Sequence, residues 1–487
     1  LECEKVKKLQ DLLSNISEVT LRGPIGVDIT GVVANSKTVA PGNLFVAKRG
    51  EQHDGGQYIG EAIAAGAAAI LTDLFDPFLP PHIAQLLTDD VKGVEVKLAA
   101  RYYDFPSQHL FLTGITGTNG KTTTGFIIRH LLSREEHPCG LLGTIEWDLG
   151  RNLQPALYTT PDVATTQRLL CEMRHAGCLT AAMEVSSHAL DQGRVEGCIF
   201  GAAVFTNLTH EHLDYHKTME KYAEAKGKLF RMLPKEATAV LNCDSNGFEV
   251  MRDACGCPLL TYGIDRASDL RPEKITYGAD STRFTLLGKS VCLPLLGKHN
   301  VYNAVAAIGV ALTYGMQWDE IQEKLETLPV IPGRLEGIPN NRGVSIFIDY
   351  AHTEDALIQA LSALRQIVPN RLFVLLGCGG NRDRQKRGKM GGVATTLADF
   401  AIFTTDNPRH EPPQQILGEI VAGCLDSGRY VVEEDRARAI KRAIELLTPG
   451  DCLLVAGKGH ERHQIIGSTA YPFSDRKVIT MCLEESV

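Results

Sequence analysis

Residues 116–123 read Thr-Gly-Thr-Asn-Gly-Lys-Thr-Thr, a combination suited to holding phosphate. Gly117 and Gly120 let the chain around Thr118 and Asn119 turn its backbone N–H groups toward phosphate oxygens, and a helix N-terminus directly behind adds partial positive charge. Lys121 would reach the β- and γ-phosphates and the Thr122 hydroxyl a Mg²⁺, with Thr123 closing the motif. Strict phosphate-loop spacing would place its first glycine at Ile115. Glycines stand at 114 and 117 instead, so this is a variant. The chemistry it fits is phosphoryl transfer from ATP.

Such a loop works only between a strand and a helix. The apolar run 110–115 predicts the strand and 122–132 the helix; further strands are expected at 180–185 and 202–205. Strands alternating with helices imply a parallel sheet covered on both faces. After the Pro-Gly pair at 332–333 the alternation resumes, with strands at 344–348, 371–376, 400–404, 430–432 and 452–455 and helices at 355–367 and 436–447. Ahead of the loop, a strand at 43–47, an Ala-rich helix and strand over 57–71 and a helix over 93–103 make a small α/β module. That helix must stop before Pro106, which disfavours helix in the residue preceding it. The expected architecture is therefore α/β in three domains: a small N-terminal α/β domain (1–107), a central P-loop ATPase-like parallel-sheet domain (108–332) and a C-terminal Rossmann-like domain (333–487). A length of 487 residues agrees with roughly three units of ordinary size.

Composition narrows the class. Fifty basic against 58 acidic side chains leave a formal charge of −8, which offers no global field for nucleic acid or an anionic membrane. Any polyanionic ligand must be met by local groups. The apolar stretch 62–71 is far shorter than the ~20 residues a membrane helix needs. The start, Leu1-Glu2-Cys3-Glu4-Lys5, mixes charges and precedes no apolar run, so neither secretion nor an anchor is expected. Thirteen scattered cysteines suit a reducing cytoplasm better than a disulfide scaffold. Cys255 and Cys257 with Cys243 fall short of a zinc ligand set.

The loop alone names no substrate. It is followed by Thr159-Thr160-Pro161-Asp162, Glu184-Val185-Ser186-Ser187-His188, Asn207 to His216 (NLTHEHLDYH), Gly297-Lys298-His299-Asn300 with Asn303, Gly333-Arg334-Leu335-Glu336, Asp349-Tyr350-Ala351-His352, Asp406-Asn407-Pro408-Arg409 and Gly457-Lys458-Gly459-His460-Glu461. In this order, from Ser36 to Glu461, the motifs resemble the Mur ligases of peptidoglycan synthesis, and within them the MurE type.

The resemblance implies ATP-driven amide ligation in the cytoplasm. UDP-N-acetylmuramoyl-L-alanyl-D-glutamate and a diamino acid would give the tripeptide, ADP and phosphate through an acyl phosphate. Cations must surround the transferring phosphoryl oxygens. Thr122, Glu184 and His212 are ligand types suited to Mg²⁺ beside Lys121. Lys226, in Tyr222-Ala223-Glu224-Ala225-Lys226, matches the family's carbamylated lysine (N6-carboxylysine), whose CO₂-derived carbamate would help hold a second Mg²⁺; Lys228 is the neighbouring alternative. By the same resemblance Asn303, Arg334, Asp349 and His352 serve the nucleotide. Thr159, Thr160, Ser187 and Arg194 would serve the muramoyl dipeptide and Ser36 the uridine. Arg382, Asp406, Asn407, Arg409, Gly457 and Glu461 would receive the amino acid. Arg409 with its planar fork suits a distal carboxylate, which favours meso-diaminopimelate over L-lysine.

The sequence departs from the family pattern at Asn35 and Lys37, at Glu354, and at Asn381 and Gly388. A lysine-adding ligase, a folylpolyglutamate synthetase-like enzyme and a non-catalytic structural subunit are the rival readings. The Asp-Asn-Pro-Arg motif and the first block oppose the second, and retention of Lys121, Glu184, His212 and Lys226 opposes the third. A monomer is expected, whose C-terminal domain closes over ATP.

Overall fold

The computed structural model describes residues 6–50 and 54–485; the mixed-charge start at 1–5 lies outside them. Three sheets carry the chain. The first orders its strands Thr20–Arg22, Ala84–Leu87, Ala69–Thr72, Asn43–Val46 and Gly31–Val33, with only the Thr20–Arg22 edge antiparallel. Val94, Leu98 and Tyr102 of helix Val91–Tyr102 seal one face.

The central sheet has eight strands in the order Leu153–Pro155, Glu146–Asp148, Cys139–Leu142, Thr180–Glu184, Phe111–Thr116, Ala202–Phe205, Thr238–Asn242 and Leu259–Tyr262. The last six are mutually parallel. Alternate residues of each strand feed opposite cores. Ile115, Ala182, Val204 and Val240 pack under helices Lys121–Leu132 and Lys298–Tyr314. Leu112, Met183, Phe205 and Leu241 face the other side, against Tyr222 and Leu229 of helix Met219–Arg231. Burial on both faces is why these strands read as continuous apolar runs. Register then decides the site: Glu184 pairs with Ile115 and Phe205 with Thr116, so the residues after three strands emerge on one rim.

The third sheet runs Glu336–Gly337, Ser345–Asp349, Cys452–Ala456, Leu372–Leu376, Phe400–Phe403 and Tyr430–Val432, parallel apart from the first short edge. Asp349 pairs with Ala456 and Leu376 with Phe403, which again aligns the carboxyl ends. Strands Cys139–Leu142, Thr238–Asn242 and Leu259–Tyr262 of the central sheet had no counterpart in the sequence reading, and neither did three larger antiparallel pieces. These pieces are the ribbon Glu146–Asp148/Leu153–Pro155, the meander Glu273–Tyr277, Thr282–Leu286 and Lys289–Leu293, and the hairpin His463–Ile466/Thr469–Pro472. Their strands are short and half-exposed, so they lack a long apolar run.

Three of the five departures from the family pattern have local explanations. Glu354 takes the first position of helix Glu354–Arg365, where a proline and an acid are both favourable. Asn381 adopts φ +52°, a conformation asparagine tolerates. Asn35 accepts from the Lys37 backbone N–H at 3.0 Å and so caps the turn Ser36–Thr38. Gly388 lies where helix Gln385–Leu397 crosses the end of helix Pro413–Val421 so closely that a Cβ on Gly423 would overlap the Gly388 carbonyl. Gly423→Ala is expected to cost about 1–3 kcal/mol through forced separation of these helices. Thermal denaturation followed by circular dichroism reads this, and an unchanged midpoint would contradict the close crossing.

Candidate functional site

The phosphate loop departs from strand Phe111–Thr116 and ends on helix Lys121–Leu132. Gly117 has φ +146° and Gly120 φ +85°; a Cβ would run into Thr206 Oγ1 at the first and Asn303 Oδ1 at the second. Glycine is required at both on two counts. Lys121 arches back over the loop, its Nζ donating to the carbonyls of Gly117 (2.9 Å) and Thr118 (2.8 Å). Burial pushes its pKa down, opposed by Glu211 and Glu184.

Glu184 is fully buried at the end of its strand. Its carboxylate accepts from Thr122 Oγ1 (3.0 Å), Thr144 N (2.8 Å) and Thr144 Oγ1 (3.0 Å), all neutral donors. Thr144 in turn touches Thr159 Oγ1 at 3.1 Å. Arg334, from the linker into the third sheet, donates to Thr122 Oγ1 at 3.0 Å and lies over the Tyr350 ring.

Lys226 is equally buried. Its Nζ donates to the Gly117 carbonyl at 2.9 Å and sits 4.3 Å from the Tyr222 ring centre. Burial, reinforced by Lys121, holds its pKa well below the usual lysine value. That favours the neutral amine, the form that can add CO₂. Lys228 pairs instead with Asp191 at 2.8 Å on the surface.

His212 has φ +56° and a pKa lowered to about 4 by burial. Glu211 lies 3.6 Å from His212 Nε2 and 3.3 Å from His352 Nε2. Burial alone would raise the Glu211 pKa; the two histidines and Lys121 outweigh it and hold the group ionised. Glu211 escaped the sequence reading although it stands inside the NLTHEHLDYH stretch. Its importance comes from His352, 141 positions along the chain, which only folding brings near. Asn119 Nδ2 to Asp355 Oδ2 (2.9 Å) is a second tie across the same seam.

Two clefts of about 410 and 400 Å³ open on either side of the loop, sharing Asn119, Gly120, Thr123, Arg334, Tyr350 and His352. The second is lined by Asn303, Asp349, Lys298, His299 and Gln359, a pocket of nucleoside size beside the phosphate loop. Asp349 accepts from the backbone N–H groups of Leu335 (2.7 Å) and Ala351 (2.8 Å), and burial raises its pKa.

The first cleft joins Lys121, Thr122, Thr159, Glu184 and His212 to Arg382, Asp406, Asn407, Arg409, Gly457 and Glu461. Asn407 Nδ2 donates to Glu461 Oε2 at 2.8 Å. Arg409, at φ +52°, donates to the Gly380 carbonyl at 2.8 Å; its pKa is lowered by burial and by neighbouring Arg382. The hairpin missed from sequence braces this motif, since Arg409 N donates to the Ile465 carbonyl at 3.0 Å. Burial also raises the Asp406 pKa.

The residues expected to meet the muramoyl dipeptide are less uniformly placed. Thr159 faces the first cleft. Thr160 is buried beneath it, donating to the Glu184 carbonyl (2.8 Å) and accepting from Ser186 N (3.1 Å). Arg194 braces the Thr160 carbonyl at 3.1 Å and is itself held by Gln192. Ser187 does not face the cleft: it is buried, with its hydroxyl 3.0 Å from His216 Nε2, and the cleft-lining serine is Ser186. The structural reason is that Ser186 caps the helix that Ser187 begins. Ser36, in the first domain, donates to Glu61 Oε2 at 2.9 Å, away from both clefts.

Residues 28–101 match the Mur ligase family catalytic domain, 115–311 the Mur ligase middle domain, and 333–459 the Mur ligase glutamate ligase domain. A UDP-N-acetylmuramoyl-L-alanyl-D-glutamate–2,6-diaminopimelate ligase of Gloeobacter violaceus is 40% identical over 475 residues, 96% of each chain. The chain belongs to the Mur ligase family. The ligase of the same name from Geobacillus kaustophilus is 40% identical over 98% of this chain and 99% of that one. A solved structure of a UDP-N-acetylmuramoyl-L-alanyl-D-glutamate–2,6-diaminopimelate ligase superposes with a TM-score of 0.68 at 30% identity, covering 99% of both chains. As a Mur ligase the chain is an ATP-dependent amino-acid ligase. Among the described residues no helix is long and apolar enough to cross a membrane.

Several partly or fully buried histidines give the protein an acid limit. His216, His299 and His460, like His212, have pKa values lowered to about 4 by burial, against 6.5 unperturbed. The unfolded chain therefore takes up protons first, so the stability these groups contribute is complete above pH 6.5 and declines as pH falls toward 4. Melting temperature measured across that window is expected to fall, and to fall less in His299→Gln. Equal slopes for the two proteins would rule out His299 as a contributor.

Proposed function

We propose that the protein adds meso-diaminopimelate to UDP-N-acetylmuramoyl-L-alanyl-D-glutamate with hydrolysis of ATP to ADP and phosphate. The observation that carries this reading is the first cleft. It sets a phosphate loop and a buried carboxylate on one wall, and on the other the Arg382, Asn407, Arg409 and Glu461 cluster.

A carboxylate is a poor acyl donor. One oxygen of the D-glutamate side chain attacks the γ-phosphorus, the bond to the β–γ bridging oxygen breaks, and ADP leaves. Lys121 and the loop N–H groups hold the phosphates in line for this displacement. The amine of the incoming amino acid then attacks the acyl carbon, the C–O bond to phosphate breaks, and the amine proton is lost. Glu461, kept ionised chiefly by Lys458 against the effect of burial, can receive an ammonium, while Arg382 and Arg409 meet carboxylates. Two guanidiniums at this end argue for a distal carboxylate and against L-lysine.

The donor set fits Mg²⁺. Glu184 is a buried carboxylate whose hydrogen bonds come only from neutral groups, and Mg²⁺ is usually held by one or two carboxylates together with substrate phosphates. Thr122, Glu184 and His212 would hold one ion, and a carbamate on Lys226 would supply the anionic oxygens for a second. When bound, the metal neutralises charge on the transferring phosphoryl oxygens. The buried Lys226 amine, its pKa held well below the usual lysine value, suits carbamate formation, which joins its nitrogen to CO₂ with loss of one proton.

Phosphate release is expected only when ATP, the UDP-dipeptide and meso-diaminopimelate are all present, and to be much slower with L-lysine. Release independent of the amino acid, or a preference for lysine, would refute the assignment. Lys226→Ala is expected to lose about 10²–10³-fold in kcat, with partial recovery in the presence of a small carboxylic acid. Full activity in the variant would end the carbamate reading.

A further inference from the structure

Lys458 stands in the turn after strand Cys452–Ala456, between Gly457 and Gly459, and has no exposed surface. It is not among the residues that line the cleft, although both of its side-chain partners are. Its ammonium donates to Asn407 Oδ1 and to Glu461 Oε2, each at 2.9 Å.

Asn407 Oδ1 also accepts the Ile465 backbone N–H at 3.0 Å. An amide oxygen held by two donors cannot exchange places with its nitrogen without leaving both unpaired. Nδ2 is therefore the end turned toward Glu461, and it is a donor. Glu461 has one oxygen committed to this pair of neighbours, and its other oxygen remains to accept from a ligand. The platform beneath is rigid. Arg436, fully buried against Asp475 at 2.7 and 2.8 Å, donates to the Ala456 carbonyl at 2.9 Å, two residues before Lys458.

We propose that Lys458 is the positioning residue that orders the amino-acid subsite. It sets a donor end, Asn407 Nδ2 with Arg409 and Arg382, against an acceptor end at Glu461, and so selects an amino acid whose distal centre carries both a carboxylate and an ammonium. This rests on the ligase reading above and goes beyond it by naming what enforces the selectivity. Without the ammonium, the Asn407 oxygen keeps only the Ile465 N–H of its two donors, which loosens the carboxamide, and Glu461 loses its fixed cation.

The test is steady-state kinetics of the full chain carrying Lys458→Met, with each substrate varied in turn. Removing one partner of a buried charged hydrogen bond is expected to raise KM for meso-diaminopimelate about tenfold or more, leaving KM for ATP and for the UDP-dipeptide within about twofold. The kcat/KM ratio of meso-diaminopimelate to L-lysine should fall by a similar factor. Lys458→Gln keeps a donor without the charge and supplies the same ratio if the Met variant does not fold. An unchanged KM for the amino acid, or an equal rise for all three substrates, would overturn the proposal. A wild-type protein that releases no phosphate in response to meso-diaminopimelate would instead refute the ligase reading.

Discussion

A buried ionisable group with no ion-paired partner is costly for a protein to hold, and this cleft is built around several. Glu184 is sealed under Thr122 and Thr144 hydroxyls, and Lys226 is sealed under a backbone carbonyl. Lys121 is likewise held by carbonyls alone. Neutral dipoles keep these groups in place without cancelling them. Their field is left to act on whatever enters: phosphates, a carboxylate and the cations that accompany them. The other features of the fold can be understood as ways of sustaining that arrangement.

Parallel sheets make it geometrically possible. With Glu184 level with Ile115 and Phe205 level with Thr116, three strands deliver the loop, the carboxylate and the Thr206–His216 segment to one rim. The third sheet repeats the device with Asp349 beside Ala456 and Leu376 beside Phe403. The two rims face each other because contacts from opposite sides meet at the seam: Arg334 on Thr122, Asp355 on Asn119 and Glu211 between His212 and His352. A modestly acidic protein thereby gathers a few basic groups on one cleft without a general positive field.

The two sides of the cleft treat charge differently. Beside the phosphate loop, Lys121 has only carbonyls as hydrogen-bond partners. On the opposite wall, Lys458 and Arg436 are paired with Glu461 and Asp475, and what faces the cleft is an ordered pattern of donors and acceptors. The difference suits the tasks, since phosphoryl transfer needs net positive potential and discrimination between diamino acids needs direction.

Much of this was legible in the chain. The glycines of the phosphate loop, the apolar runs buried on two faces, and the motif clusters following each strand are local properties, because a tight turn, a doubly covered strand and a strand end each leave a mark on consecutive residues. What the sequence could not disclose depends on residues far apart meeting. Glu211 matters through His352, Lys458 through Asn407 and Ile465, and the hairpin at 463–472 through Arg409. That Ser186 and not the expected Ser187 lines the cleft was likewise decided by packing, since one hydroxyl caps a helix there and the other is consumed by His216. Sequence alone therefore determined the fold class and most of the segments that line the clefts, because backbone geometry and burial are written locally. Tertiary structure alone decided which atoms of those segments face the clefts, because hydrogen-bond partners are chosen only when distant strands end on a common rim.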